Sequence, residues 1–309
     1  MRVAILGAGP AGMSCANVCQ SYGLSPVIIE RGGVVGGSQR ANFHPNLWML
    51  GAPNETGREM TARLAQHFGT LGVDTRFDAE LTAVELKRQQ FHLAYSSAGQ
   101  RHSLSAEALV IATGSRARAT PEIEALAQQS PRVVVGALAD VIRAEIRDAK
   151  VLIVGGGDNA LDHALYLAEQ GNRVTVRTRA GFSARRPFVQ ACNDHPAITL
   201  MEHSPIADPH ADGSGVWFEI GPVSIRFDWM LVMYGYRPNT DMLSCFSPGI
   251  RPELTPSGHI RIDLWQRTSV PRIYATGDIT DPPQPSVPTA IAQGLAAARA
   301  IEVDLHAGQ

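Results

Sequence analysis

The chain is short of several features that would each point to a class of protein. It has four cysteines, Cys15, Cys19, Cys192 and Cys245, and no two of them form a C-x-x-C pair. That is too few for the disulfide framework of a small secreted domain. No apolar run approaches the ~20 residues that a membrane-spanning helix requires. Basic charge is not in excess either: 27 Lys and Arg face 29 Asp and Glu, for a net charge of −2. That balance argues against nucleic acid as a partner. An apolar run begins at Val3, which leaves no room for a signal peptide. These absences lead us to expect a cytoplasmic protein without a membrane or nucleic-acid partner, and no metal site is assigned.

What is present is apolar bulk and glycine. Apolar residues make up 44% of the 309 and charged residues 18%, enough for a sizeable core and two domains. Two stretches organise the chain, V-A-I-L-G-A-G-P-A-G at 3–12 and V-L-I-V-G-G-G-D-N-A at 151–160. Each is a short apolar run that ends in glycines and opens into a helical pattern. The run reads as a buried parallel strand, the glycines allow a tight turn and close approach to a pyrophosphate, and the next helix offers free N–H groups. One such motif is a weak signal, whereas two in strand–helix context imply two bound dinucleotides.

The first unit reads as a helix over 14–22, ended by Gly23, and a strand over 26–30 closed by Glu30. A carboxylate there can accept hydrogen bonds from both hydroxyls of an adenosine ribose, which favours an unphosphorylated ribose, as in FAD or NAD. The alternative is a generic helix-facing glutamate. A glycine-rich loop, 31–48, contains Arg31, Gly36, Gly37, Ser38, Gln39 and Arg40, with Phe43, His44 and Trp48 as candidate stacking rings or loop anchors. A helix is expected over 55–71, a small antiparallel meander over 73–95, and a strand over 108–112 ending in Ala112-Thr113-Gly114. Residues 114–121 read as a hinge.

The second unit is expected to run through a strand at 132–135, a helix at 138–147, a helix at 161–170 and a strand at 173–177. Arg177 stands where Glu30 stands in the first unit, with Thr178, Arg179, Arg185 and Arg186 behind it. A missing carboxylate and added guanidinium groups argue for a 2′-phosphate, hence NADPH over NADH; an ordinary solvated basic run is the alternative. A second meander over 198–227, a strand-like stretch at 229–235 and a return hinge at 236–240 follow. The tail offers a strand at 273–276, Gly277-Asp278, and a helix over 289–305 that starts with Thr289-Ala290. An aspartate there can bind ribityl hydroxyls, and the helix start can stabilise negative charge on a reduced flavin.

The fold expected is α/β, with two Rossmann-like three-layer ββα dinucleotide-binding domains, the second (116–239) inserted into a discontinuous first (1–115 and 240–309). The candidate cofactor ligands of the first domain are Gly7, Gly9, Pro10, Ala11, Gly12, Glu30, Arg31, Gly37, Ser38, Gln39, Ala112, Thr113, Gly114, Gly277, Asp278, Thr289 and Ala290. The candidate NADPH ligands are Gly155, Gly157, Asp158, Asn159, Ala160, Arg177, Thr178, Arg179 and Arg185.

Taken together, the first glycine motif, Gly36-Gly37, Ala112-Thr113-Gly114, the second glycine motif, Arg237-Pro238-Asn239-Thr240 and Gly277-Asp278 resemble the thioredoxin-reductase-like branch of two-dinucleotide flavoproteins. The resemblance covers nearly the whole chain and implies FAD in the first domain (1–115 and 240–309), NADPH in the second (116–239), and a homodimer. In thioredoxin reductases a C-x-x-C pair precedes the second glycine motif, but here 132–150 contains no cysteine. Cys15 and Cys19, four apart on one helix face, read as core packing. A scaffold of this branch without the pair is similar to ferredoxin/flavodoxin–NADP⁺ reductases, and implies hydride passing from NADPH to FAD and electrons leaving to ferredoxin or flavodoxin. Alternatives are a reductase or oxidase of a small molecule (quinone, free flavin, oxygen or a low-molecular-weight disulfide), thiol chemistry at a misjudged cysteine, and a non-catalytic flavin-binding sensor. No proton-transfer residue is named.

Overall fold

The computed structural model describes residues 1–46, 49–137 and 140–306. Trp48 and the first two residues of the helix expected at 138–147 lie outside the described residues. The chain divides into two compact units, Met1–Ser115 with Pro238–Gln309, and Arg116–Arg237. The sequence had suggested 239/240 for the second crossing.

In the first unit β1 (Arg2–Leu6), α1 (Pro10–Ser21) and β2 (Ser25–Ile29) form a strand–helix–strand. Helix α2 (Gly57–Thr70) and strand β3 (Asp74–Arg76) follow. Then come β4 (Ala79–Lys87), β5 (Gln90–Ser97), β6 (Gln100–Ala106) and β7 (Ala108–Ile111). Short β8 (Ser115–Ala117) lies where the chain leaves this unit.

The second unit contains α3 (Pro121–Gln129), β9 (Val133–Val135), α4 (Asp140–Ala144), β10 (Lys150–Val154), α5 (Asp158–Glu169) and β11 (Arg173–Arg177). It continues with α6 (Arg186–Asp194), β12 (Ile198–Met201), β13 (His210–Asp212), β14 (Gly215–Ile220), β15 (Val223–Phe227) and β16 (Trp229–Val232). After β17 (Tyr236–Pro238), the chain returns to the first unit with β18 (Ile273–Ala275) and the long helix α7 (Val287–His306).

Each unit has the same layers. A five-stranded parallel sheet, in the order β18-β7-β1-β2-β3, carries the first; its counterpart runs β12-β11-β10-β16-β9. Parallel strands buried on both faces read as continuous apolar runs, as β1, β7 and β10 do. Alternation then sorts the residues by face. In β1, Val3 and Ile5 pack with Cys15, Ala16, Ala297 and Ile301 of the helical layer. Ala4 and Leu6 pack with Phe91 and Leu93 of the antiparallel β4-β5-β6 sheet on the other face. In the second unit Leu152 and Val154 meet Val216 and Phe218 of β13-β14-β15 in the same way.

Several local expectations need correction. The segments read as meanders begin with β3 and β12, which are parallel strands of the main sheets: Val27 pairs with Asp74, and Val174 with Ile198. The stretch taken as a hinge runs into α3, capped by the Thr120 hydroxyl on Ile123 N with Pro121 at its start. The basic run after Arg185 opens helix α6. Among the described residues, no helix is long and apolar enough to cross a membrane.

Candidate functional site

The two glycine turns are built from the same local physics. Gly7, just past β1, has φ +105°, and a Cβ there would stand 2.5 Å from Ala112 O. Pro10 opens α1, where its missing N–H costs nothing. The N-cap residue is Gly9, so no side chain caps the helix and the first-turn N–H groups stay available to an outside acceptor. A Cβ on Gly12 would overlap Gly7 O. Gly37, at φ +63°, returns to this turn; a Cβ there would lie 3.1 Å from Gly9 Cα, while Gly36 N donates to Ala8 O at 2.8 Å. The turn presents bare backbone beside an uncapped helix start, which suits a closely approaching pyrophosphate.

Glu30 sits one residue past β2 and points back at this turn. Its Oε2 accepts from Ala8 N and its Oε1 from Gly32 N, both at 2.7 Å. Each carboxylate oxygen has a second lone pair, so ribose hydroxyls could still donate to it. Gln39 spends its side-chain oxygen on Asn42 at 2.9 Å, and Arg31 and Ser38 are exposed.

At the far end of β7 the residues 112–114 are held by a side chain that the sequence reading had given no role. Asn239 Nδ2 donates to Thr113 O at 2.8 Å, Asn239 N donates to Gly114 O at 2.9 Å, and Thr113 Oγ1 donates to Asn239 O. The R-P-N-T motif was the available signal. Gly277 follows β18, with φ +80° and its N donating to Gln293 Oε1 at 2.8 Å. A Cβ on it would come within 3.0 Å of Ala11 Cβ, which places Gly277 beside the start of α1. Burial pushes the Asp278 carboxyl above the usual carboxylate range, and Ser115 Oγ donates to it at 3.3 Å. A buried carboxylate with so weak a donor gains from further hydroxyl donors, which fits a polyhydroxyl chain.

Helix α7 completes this site. A Cβ on Gly294 would overlap Ala11 O, and Ser14 Oγ donates to Ile291 O at 2.8 Å, so α1 and α7 cross backbone to backbone. Ser286 Oγ caps Thr289 N, and Thr289 Oγ1 donates to Gln284 O, which commits the Thr289 hydroxyl hydrogen locally; Ala290 is buried. The residues brought together are Gly7–Gly12, Glu30, Gly37, 112–114, Gly277 and the start of α7. The residues that fit FAD are therefore the glycine turn, Glu30 and Asp278.

In the second unit Gly155 (φ +145°) turns so tightly that a Cβ would overlap Met233 O, and Gly157 caps α5 without a side chain. Ala160 is buried at the first turn, and Asn159 is exposed beside it. Thr178 is buried against Gly156, where a Cβ would stand 2.9 Å from Thr178 Oγ1. The bare turn and uncapped helix suit a second pyrophosphate as they do in the first unit.

Arg177 departs from expectation. It is 6% exposed; Nε donates to Ser204 O at 3.0 Å, Nη2 to Ser204 Oγ at 2.6 Å, and Cζ lies 5.0 Å from the Phe218 ring centre. The guanidinium is turned inward onto Ser204 and Phe218, a placement that favours a structural role over the phosphate contact expected from its position. Arg179 and Arg185 remain on the exposed side. Sequence position alone could not distinguish these arginines, because the partner of Arg177 lies 27 residues away.

The thiols are placed for packing. Cys15 and Cys19 are fully buried with sulfurs 4.0 Å apart, and all four cysteines are free. The hydrogen bond from Cys19 and burial hold the Cys15 thiol well above its usual range, and burial pushes Cys192 up to about 11. Such thiols are poor nucleophiles at neutral pH.

Comparison with known proteins agrees with this construction. A ferredoxin–NADP reductase of Limosilactobacillus fermentum is 30% identical over 89% of this chain and 84% of its own length. A thioredoxin reductase of Coxiella burnetii is 26% identical over 95% of this chain and 93% of its own. In structure, thioredoxin reductase of Lactococcus lactis superposes with a TM-score of 0.82 at 24% identity, covering 99% of both chains. The model of the pyridine nucleotide-disulphide oxidoreductase family matches residues 1–294. With two bare glycine turns in two like units and a match of this length, the chain belongs to that family of oxidoreductases, flavoproteins that use FAD and NADPH.

Proposed function

We propose that the unit of 1–115 and 238–309 holds FAD, that the unit of 116–237 holds NADPH, and that electrons leave to a ferredoxin or flavodoxin. FAD, when bound, would supply the redox chemistry, taking a hydride from NADPH and yielding electrons to the acceptor. The chain's residues bind and orient. The α1 start with Gly9–Gly12 faces the pyrophosphate, Glu30 takes the adenosine ribose, Asp278 takes the ribityl hydroxyls, and the α7 start lends positive potential to the flavin. Arg31, Ser38, Gln39, Thr289 and Ala290 are kept as outer contacts. The start of α5 with Gly155–Ala160 faces the second pyrophosphate, and Thr178, Arg179 and Arg185 line its adenosine end. No side chain is assigned a proton to move.

The observation that carries the acceptor is the state of the thiols. No C-x-x-C occurs, and the one close pair is buried and unbonded, so a dithiol relay has no residues to run on. Likeness to a protein named ferredoxin–NADP reductase supports the same reading. We also propose a homodimer, as is common among thioredoxin reductases.

The experiment is steady-state turnover with NADPH, offering ferredoxin, flavodoxin, thioredoxin and a quinone in turn under argon, and oxygen in a separate aerated run. Ferredoxin or flavodoxin reduction exceeding that of every other acceptor by roughly tenfold, about 1.4 kcal/mol in barrier, is expected. Equal or faster turnover of quinone or oxygen would overturn the assignment. Sedimentation velocity checks the dimer.

A further inference from the structure

The loop that follows β11 is tied to the glycine turn by an acid, and the acid stands in an unexpected place. Asp158 is the first residue of α5, where phosphates of a dinucleotide would approach and a bare carboxylate would repel them. It is not bare. Its Oδ1 accepts from Arg185 N at 2.8 Å and its Oδ2 from Arg185 Nε at 2.7 Å. Arg185 Cζ also lies 4.8 Å from the Phe188 ring centre. The guanidinium is therefore held on both sides.

The neighbouring backbone follows the same course. Ser183 N and Ala184 N both donate to Gly156 O, at 2.8 and 3.0 Å, and Phe182 N donates to Glu202 Oε1 at 3.0 Å. One helical turn on, burial pushes the Asp162 carboxyl up, with His163 and Arg185 pulling it down and the Asp158 charge adding to the rise. Arg185 is thus the internal counter-charge of Asp158. Flanking the tied segment, Arg179 and Arg186 are exposed, and no hydrogen bond or ion pair holds either side chain among the described residues.

We infer that Asp158 is a positioning residue for cofactor choice: by anchoring Arg185 and the 182–185 loop on the glycine turn, it sets Arg179 and Arg186 to receive the 2′-phosphate of NADPH. This rests on the NADPH reading above. Arg185 is then the tether, and the two exposed arginines select the phosphate. Without the anchor the loop between the two arginines loses its charge-assisted bonds, while the pyrophosphate site is left in place.

The test is equilibrium binding of 2′,5′-ADP and 5′-AMP to the full-length flavoprotein by calorimetry, which needs no turnover. Wild type is expected to prefer 2′,5′-ADP by about tenfold or more; a wild-type protein with no preference would remove the NADPH reading, whatever the variants do. D158N is expected to lose at least roughly fivefold of that preference with 5′-AMP affinity unchanged or tighter. R179Q is expected to abolish the preference, and R185Q to lose less than D158N, because Arg185 N still reaches the Asp158 carboxylate. D158E, which keeps the charge but displaces it, is expected to retain more preference than D158N and carries the test if D158N does not fold. Two results would overturn the proposal. One is D158N binding both nucleotides more tightly at an unchanged ratio, which makes Asp158 only a repulsive charge. The other is R185Q losing more than D158N, which makes Arg185 the phosphate ligand itself.

Discussion

The two glycine turns share a backbone and differ in what closes them. Each has a five-residue strand, a twelve-residue helix with an uncapped glycine N-cap, and a second five-residue strand. The N-cap torsions nearly coincide, φ −74° and ψ 179° at Gly9 against φ −93° and ψ 179° at Gly157. After the second strand they part. Glu30 bonds back onto its own glycine turn through Ala8 N, whereas Arg177 turns away beneath its sheet to Ser204. In the second unit the link to the turn comes from Asp158 and the loop beyond. On the proposed reading, the pyrophosphate sites are made by backbone and glycine, and the discrimination between riboses by residues placed by different means in each unit.

The largest effects should come from breaking one turn at a time. A branched side chain at Gly12 would overlap Gly7 O, and one at Gly155 would meet Met233 O in a left-handed conformation as well. Overpacking of this kind costs about 1–3 kcal/mol or more, concentrated in the turn itself. Gly12→Val is expected to yield colourless protein, with flavin absorbance at 450 nm down by roughly tenfold or more. Gly155→Val is expected to stay yellow and to lose bleaching by NADPH. Colourless protein from both would contradict the division of labour.

Next come the two residues that end the second strands. Glu30→Gln leaves one of two backbone donors facing an amide NH₂, a loss of about 1–3 kcal/mol, and is expected to weaken FAD binding as measured by fluorescence titration. Arg177→Met removes two hydrogen bonds to Ser204 but keeps apolar packing on Phe218. It is expected to lower the melting temperature, by about 1–3 kcal/mol in stability, without changing the ratio of NADPH to NADH affinity. A collapse of that ratio would restore Arg177 as a phosphate ligand.

The smallest effect concerns a feature present in the first unit only, the anchoring of α7. Arg267 forks onto Asp304 at 2.7 and 2.8 Å, and buried Tyr274 OH donates to Asp304 Oδ2 at 2.7 Å. Tyr274→Phe should cost about 1 kcal/mol by thermal melting. The pH dependence has two sides. Hydrogen bonding to Arg267 holds the Asp304 carboxyl below its usual range, so its contribution is present above the unfolded value of about 3.9. It is lost as pH falls through the lower folded value. Burial and the Asp304 bond hold the Tyr274 hydroxyl well above its usual range, so that contribution is present below about pH 10. It fades as pH rises toward the folded value. Tyr274→Phe should remove the alkaline limb and shrink the acid limb, which Arg267 alone then sustains.

Both strand–helix–strand motifs, β7 and β18 were legible because each strand is apolar and borders a glycine, and the last helix because it is long and rich in small apolar residues. The strands β3 and β12 were read into meanders because three or four residues are too few to show a period; what makes them parallel is the neighbour they pair with. Helix α3 had a visible signal in Thr120-Pro121, but the glycine and proline around it looked like a hinge. The site was legible where backbone makes it, at Gly7–Gly12 and Gly155–Ala160. It was illegible where a distant partner decides, as Ser204 does for Arg177, Asn239 for Thr113, and Arg185 for Asp158.

The most direct measurement is an anaerobic titration of the purified protein with NADPH, followed at 450 nm, with NADH as control. The account predicts a yellow protein that bleaches promptly with NADPH and only at much higher concentration with NADH. A protein that binds no flavin, or a yellow one that NADPH leaves oxidised, would contradict it.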